Sequence, residues 1–205
     1  MLGYWNKSVY ITYLGALCAI IGYFFSLKFN NPSLAFVGMF LAAVCDMFDG
    51  KVARLEKGRS EQAKSFGVEI DSLADVICFI VIPALTIYHI GLNEWYEMTI
   101  LSLYCVCGIV RLAYFNVAMS DKNKAIKEYT GLPVTSSALI FPFVYIFKNL
   151  LGKYFVLLYG VCLLVVGILF VSKIKIKKPR TKTMILFIIV GVLEILLIIT
   201  VKRLL

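Results

Sequence analysis

Apolar runs of about 20 residues recur along this chain, and no other feature limits its folding as strongly. A run of that length crosses the hydrocarbon core of a bilayer as a helix, in which every backbone N–H and C=O is paired within the segment. Hydrophobic residues make up 61% of the 205, and mean hydropathy is +0.89, both beyond what a soluble domain carries. The sequence therefore predicts an all-α, polytopic transmembrane helix bundle built as one domain over 1–205. Seven spans are expected, near 8–28, 33–53, 67–91, 96–119, 132–148, 153–172 and 182–202.

The first span is too long, and too poor in preceding positive charge, for a cleavable signal peptide, so it is expected to remain as a helix. Basic residues set the orientation. Lys51, Arg54, Lys57, Arg59 and Lys64 lie in or beside one loop, Lys122, Lys124 and Lys127 in the next on that side, and six more fall between Lys173 and Lys182. The opposite loops hold only Lys28, Lys148 and Lys153. The positive-inside rule puts the N-terminus and residues 46–75 in the cytoplasm of a cell-membrane protein, with the C-terminus outside. The net charge of +9 sits in loops flanking spans, where anionic membrane lipid, not nucleic acid, is the natural partner.

Cys18, Cys45, Cys78, Cys105, Cys107 and Cys162 all fall in apolar segments with no CxxC pair, so they read as buried, reduced small hydrophobes. His89, Tyr88, Trp95 and Tyr96 sit at one membrane boundary and suit interfacial anchoring. The sequence shows no internal repeat.

Against this background, four acids stand out at the edges of the second and third spans: Asp46, Asp49, Asp71 and Asp75. At about 100° per residue, Asp46, Asp49, Gly50, Ala53 and Arg54 share one face of the second helix, and Gly67, Asp71 and Asp75 share one face of the third. Counting the helical rise from the outer ends places Asp46 and Asp75 about 6 to 10 Å below the cytoplasmic boundary, level with Arg111 on the fourth helix. Carboxylates at that depth need a partner or a water-filled cavity, and four together call for cations. Arg54 and Arg111 would neutralise two. Divalent ions would neutralise more, and a set of hard oxygens with no suitably spaced His or thiolate selects Mg²⁺, Mn²⁺ or Ca²⁺ over Zn²⁺. Two such ions held between facing helices suit displacement at phosphorus, and the small Gly50, Ala53 and Gly67 leave room beside them for a bulky polar group.

The pattern Asp46-x2-Asp49-Gly50-x2-Ala53-Arg54, then Gly67-x3-Asp71-x3-Asp75, resembles the signature of the CDP-alcohol phosphatidyltransferases. These membrane enzymes move a phosphatidyl or related group from a cytidine diphosphate donor to an alcohol and release CMP. The segments "GVEIDSLADVICF", "RLAYFNV" and "YTGLPVTSSA" are similar to the branch that uses serine. The resemblance implies that Asp46, Asp49, Asp71 and Asp75 bind two divalent cations, Mg²⁺ or Mn²⁺. It implies further that these acids, with Gly50, Ala53, Arg54 and Gly67, accommodate the CDP-lipid, and that Asp75 is the catalytic general base. Donors would be CDP-diacylglycerol or an archaeal CDP-ether lipid, the acceptor L-serine, and the assembly a homodimer.

Arg111 is the candidate for the serine carboxylate, because an arginine fork matches a planar carboxylate; an ion pair with one of the aspartates is an equal alternative. Asn116 lies about 140° round the same helix and is a second candidate. Asn6 and Ser8 open the first helix, where nucleotide contact and N-capping explain them equally well. One departure is visible. Twelve residues separate Arg54 from Gly67, about one helical turn more than is usual in the family, so a longer cytoplasmic loop or extended helix ends are expected. Two other readings compete with this one: the same chemistry on glycerol phosphate or an inositol phosphate, and a cation transporter. The small-residue spacing, the clustering near one surface and the lack of repeats weigh against the transporter. Glu194, near the middle of the last span, has no role in any of these readings.

Overall fold

The computed structural model describes residues 3–56, 58–120, 128–177 and 181–204. Lys57, Lys122, Lys124, Lys127, Lys178 and Arg180, which helped to set the expected orientation, lie outside the described residues.

Two helices form the first hairpin: α1, Lys7–Lys28, and α2, Pro32–Leu55. Asn6 caps α1 by accepting a hydrogen bond from the Val9 N–H at 3.1 Å, and Asn31 caps α2 with Pro32 in its first turn, where a missing N–H costs nothing. Small residues let the two backbones touch. A Cβ added at Gly38 would sit 2.5 Å from the Cys18 carbonyl oxygen, and one at Gly22 would sit 2.8 Å from that of Leu34. This close contact supplies dispersion where lipid offers no hydrophobic drive between helices. The other face of α1 exposes Leu14, Leu17, Ile21 and Phe24, as a lipid-facing surface would.

A single span, α3, covers Glu61–Ile90. It is α-helical to Asp75, widens into a π-helical turn over Val76–Val81, and returns to α from Ile82 to Ile90. Pro83 accounts for the irregularity: it has no N–H to give to the carbonyl four residues back, which is that of Phe79. The Ile82 N–H reaches five residues back, to Ile77. The Phe79 oxygen is taken up from outside, by the Tyr104 hydroxyl at 2.7 Å and the Ser137 hydroxyl at 2.9 Å.

The longer helices that follow are α4, Trp95–Ser120, α5, Ser137–Ile146, α6, Phe155–Val171, and α7, Thr181–Leu204, with a single helical turn at Lys148–Leu151 between α5 and α6. α4 packs on α6, and α7 covers α5 and α2. Tyr104 meets Phe141 and Phe170 with ring centroids 5.5 Å away in each case, and the Tyr159 hydroxyl donates to the Phe141 carbonyl at 2.6 Å.

Among the described residues, six helices are long and apolar enough to cross a membrane, which makes this a multi-pass membrane protein of the all-α class. The expected span at 132–148 differs. Here a 3-10 turn at Val134–Ser136 leads into a ten-residue helix containing Pro142, too short to cross alone. Ser137, Ala138, Phe141 and Pro142 are buried, so this helix serves the bundle interior and is not required to match the bilayer. A small ribbon was not anticipated either: β1, Glu128–Thr130, pairs antiparallel with β2, Lys175–Lys177. Gly131, at φ +78°, presses its backbone against the Phe170 carbonyl where a side chain would collide, and joins the ribbon to the entrance of α5.

The long Arg54–Gly67 interval is absorbed mainly by helix. α2 runs to Leu55 and α3 starts at Glu61, capped by the Ser60 hydroxyl, so only five residues separate the two helices.

Candidate active site

α2 and α3 run in opposite directions, so Asp46 and Asp49 on one face Asp71 and Asp75 on the other. One carboxylate oxygen from each of Asp46, Asp49 and Asp71 lies within 4.8 Å of the others. Asp75, one turn deeper on α3, is outside that set but lines the same cleft, with Thr12 and Gly15 of α1 on one side and Phe79 as its floor.

α1 supports the cluster through a polar ladder. The Ser8 hydroxyl donates to Asn6 Oδ1 at 2.7 Å, and Thr12 Oγ1 lies 3.2 Å from the Ser8 carbonyl and donates to Asp49 Oδ2 at 2.7 Å. Asp49 is only 7% exposed, so this hydroxyl both orients and partly satisfies it. Thr12 is absent from the residues singled out in the sequence. Its signal was the i, i+4 step from Ser8 into a line of small residues, Gly15, Ala19 and Gly22. Replacing Thr12 with Val keeps the shape and removes the donor, and should weaken divalent-cation binding about 10- to 100-fold. Calorimetric titration with Mn²⁺ reads this directly, and unchanged affinity would show that Asp49 does not depend on Thr12.

The small residues divide into two kinds. Gly50 faces open space, with nothing within 4 Å of an added Cβ, while Ala53 is half-buried and Arg54 exposed. Gly67 is covered: an added Cβ would lie 2.8 Å from an Arg59 guanidinium nitrogen. Asn6 and Ser8 are buried at the mouth of the ladder, and Asn6 also performs the capping role expected of it.

Arg111 is 6% exposed; its Nε donates to the Leu132 carbonyl at 3.1 Å, and its guanidinium lies 4.8 Å from the Phe115 ring centroid. Asn116, about 140° round α4 from Arg111, exchanges two hydrogen bonds with Ser72 at 2.9 and 3.1 Å. Ser72 directly follows Asp71, so Asn116 braces α3 beside the carboxylates. A larger cavity, about 370 Å³, opens at the opposite end of the bundle beside Asn30, His89 and Lys148. Among the described residues its lining includes no carboxylate, and it lies away from the cluster.

The donor set fits a divalent cation. Three hard oxygens within 4.8 Å match the width of one Ca²⁺ or Mg²⁺ coordination shell, at about 2.0 to 2.6 Å per bond. No thiolate or imidazole belongs to the group, which favours oxygen-seeking ions.

A polytopic helical membrane protein with facing carboxylate pairs just inside one end of the bundle is thus defined by geometry alone. The profile of the CDP-alcohol phosphatidyltransferase family matches residues 5–172, and the chain belongs to that family. The family is divalent-metal dependent. The chain is 29% identical over 177 residues to the CDP-diacylglycerol–serine O-phosphatidyltransferase of Methanocaldococcus jannaschii, covering 85% of this chain and 75% of that one. It is 36% identical over 165 residues to the archaetidylserine synthase of Methanothermobacter thermautotrophicus, covering 79% and 66%. It is also 38% identical over 112 residues to the CDP-diacylglycerol–serine O-phosphatidyltransferase of Saccharomyces cerevisiae, covering 51% of this chain and 39% of that one. The match therefore spans under two thirds of the yeast relative's length, and about two fifths of the mycobacterial ones.

Proposed function

We propose that this protein transfers a phosphatidyl or archaetidyl group from a CDP-lipid to the hydroxyl of L-serine and releases CMP. The carrying observation is the trio of Asp46, Asp49 and Asp71 oxygens beside Asp75, in a family profile whose similar proteins are named for serine transfer. Asp46, Asp49, Asp71 and Asp75 hold two divalent cations in this reading, Mg²⁺ or Mn²⁺. The chemistry such ions supply is charge stabilisation of the diphosphate and of the departing CMP.

The chain's own residues do the rest. The bare surface at Gly50, with Ala53 and Arg54 following on α2, receives the donor; Gly67, Asn6 and Ser8 bound the same end. Asp75 accepts the serine hydroxyl proton as the new P–O bond forms, a role favoured by its place outside the three-oxygen set. Arg111 and Asn116 orient serine from α4, the former by pairing with its carboxylate. Donor chains enter sideways from lipid while serine arrives from water, which suits a site just under the cytoplasmic boundary of the cell membrane. Residues 1–205 act as one catalytic domain, assembled as a homodimer, with basic loops against anionic lipid.

The test is CMP release by purified protein in detergent with CDP-diacylglycerol or its ether-lipid counterpart, Mg²⁺ or Mn²⁺, and L-serine, glycerol phosphate or inositol phosphate. Serine-dependent CMP that chelator abolishes is expected. CMP formed only with another alcohol would remove the serine assignment, and none with any donor or acceptor would remove the transferase reading and favour metal transport.

A further inference from the structure

Among the described residues, six buried side-chain polar atoms have no hydrogen-bond partner, and three belong to one end of the bundle: Asn6 Nδ2, Glu56 Oε2 and Arg59 Nε. The chain holds them together. Glu56 Oε1 lies 3.4 Å from the Lys7 N–H, next to Asn6, and Arg59 reaches back to the Ala53 carbonyl one turn before Glu56. Two unpaired donors and an unpaired acceptor, all buried at one end of the bundle, are costly unless something polar completes them.

Arg59 is the unusual member, since it lies in the stretch that makes the Arg54–Gly67 interval long. Its guanidinium donates from Nη1 to the Ala53 carbonyl at 3.3 Å and from Nη2 to the Ala63 carbonyl at 3.2 Å. These bonds fasten the end of α2 to the start of α3. They use two of five N–H donors, so Arg59 can keep the fastening and still present others, Nε–H among them. The group rests on Gly67, whose missing side chain is what admits it. Ala53 is one turn from Asp49, and Gly67 one turn from Asp71. The guanidinium is thus about 6 Å toward the cytoplasmic end from the carboxylates, roughly one helical turn.

We infer that Arg59 is a donor-binding residue: from just before α3 it takes the diphosphate of the CDP-lipid, and Gly67 serves as the seat for Arg59. The inference rests on the transferase reading above. A planar cation with spare N–H groups matches phosphate oxygens, and its position places the nucleotide end of the donor beside Asn6 and Glu56, whose unpaired donor and acceptor suit the amine, carbonyl and hydroxyl groups of a nucleoside. The bland alternative is that Arg59 only caps α2.

The experiment uses the full chain, with donor and serine varied independently in the CMP-release assay and CMP affinity measured by calorimetry. Arg59→Gln should raise both the KM for CDP-diacylglycerol and the Kd for CMP about 10- to 100-fold, as loss of hydrogen bonds to a charged group does. The KM for serine and kcat at saturating donor should stay within about threefold, and Arg59→Lys should recover part of the loss. Gly67→Ala should weaken donor binding in the wild-type background and add little to Arg59→Gln, because the two act through one contact.

Donor KM and CMP affinity both within twofold of wild type in Arg59→Gln would overturn the inference. So would a parallel fall in thermal midpoint, kcat and serine KM with CMP affinity of the folded protein unchanged, the signature of a cap alone. If Arg59→Gln does not fold, Arg59→Lys is judged by the same two readings. A wild-type protein that turns over no CDP-lipid counts against the transferase reading alone, and Arg59 is then decided by CMP affinity.

Discussion

Asp75→Asn should bring CMP release to below about one thousandth of the wild-type rate while CMP affinity changes by less than about threefold. Asparagine fills the same volume but has no basicity, and general-base catalysis contributes about 10²- to 10⁴-fold. A serine hydroxyl is a poor nucleophile at neutral pH, so the loss should appear in kcat with the donor KM little changed. The cluster geometry sharpens the expectation: three oxygens from Asp46, Asp49 and Asp71 already gather without Asp75. Full activity in Asp75→Asn would eliminate the base. Loss of metal and nucleotide affinity along with turnover would instead assign Asp75 to metal binding first.

Asp49→Ala should have the opposite profile, with divalent-cation and CMP affinity falling together by about 100-fold or more. Asp49 is the least solvent-exposed of the four acids, shares the three-oxygen group and accepts the Thr12 hydroxyl. Removing its carboxylate deletes one oxygen ligand, leaves Thr12 facing a void and lowers the negative charge that draws a cation in. Mn²⁺ titration with and without CMP measures both affinities. An unchanged metal requirement would take Asp49 out of the metal site.

Much of this was legible because helix periodicity and bilayer thickness are strong constraints. Asp46 and Asp49, like Asp71 and Asp75, could be set on facing surfaces from spacing alone, and Asn6 could be recognised as a cap. The bundle's longest spans follow from apolar length. Other features depend on relations that spacing does not carry. The π turn after Asp75 lies in "VICFIVIP", where unbroken apolarity gives no phase to read; only Pro83 hints at it. Residue type alone suggested Arg111 and Asn116 as serine contacts, but spacing could not supply the partners that hold them, the Leu132 carbonyl for Arg111 and Ser72 for Asn116. Gly67 read as space for a ligand, and the structure fills that space with Arg59, a residue from the very loop whose length was out of pattern.

The carbonyl of Phe79 has a consequence for how such a protein can diverge. That single oxygen is gripped by hydroxyls from α4 and α5, directly beneath Asp75. Sliding α3 by one residue would swing the oxygen by about 100° and release both. The helices that would shape the acceptor pocket are therefore keyed to the register of the acid-bearing helix. A change of acceptor made by remodelling α4 or α5 has to preserve Tyr104 and Ser137, or it will disturb the alignment of Asp75 with α2 at the same stroke.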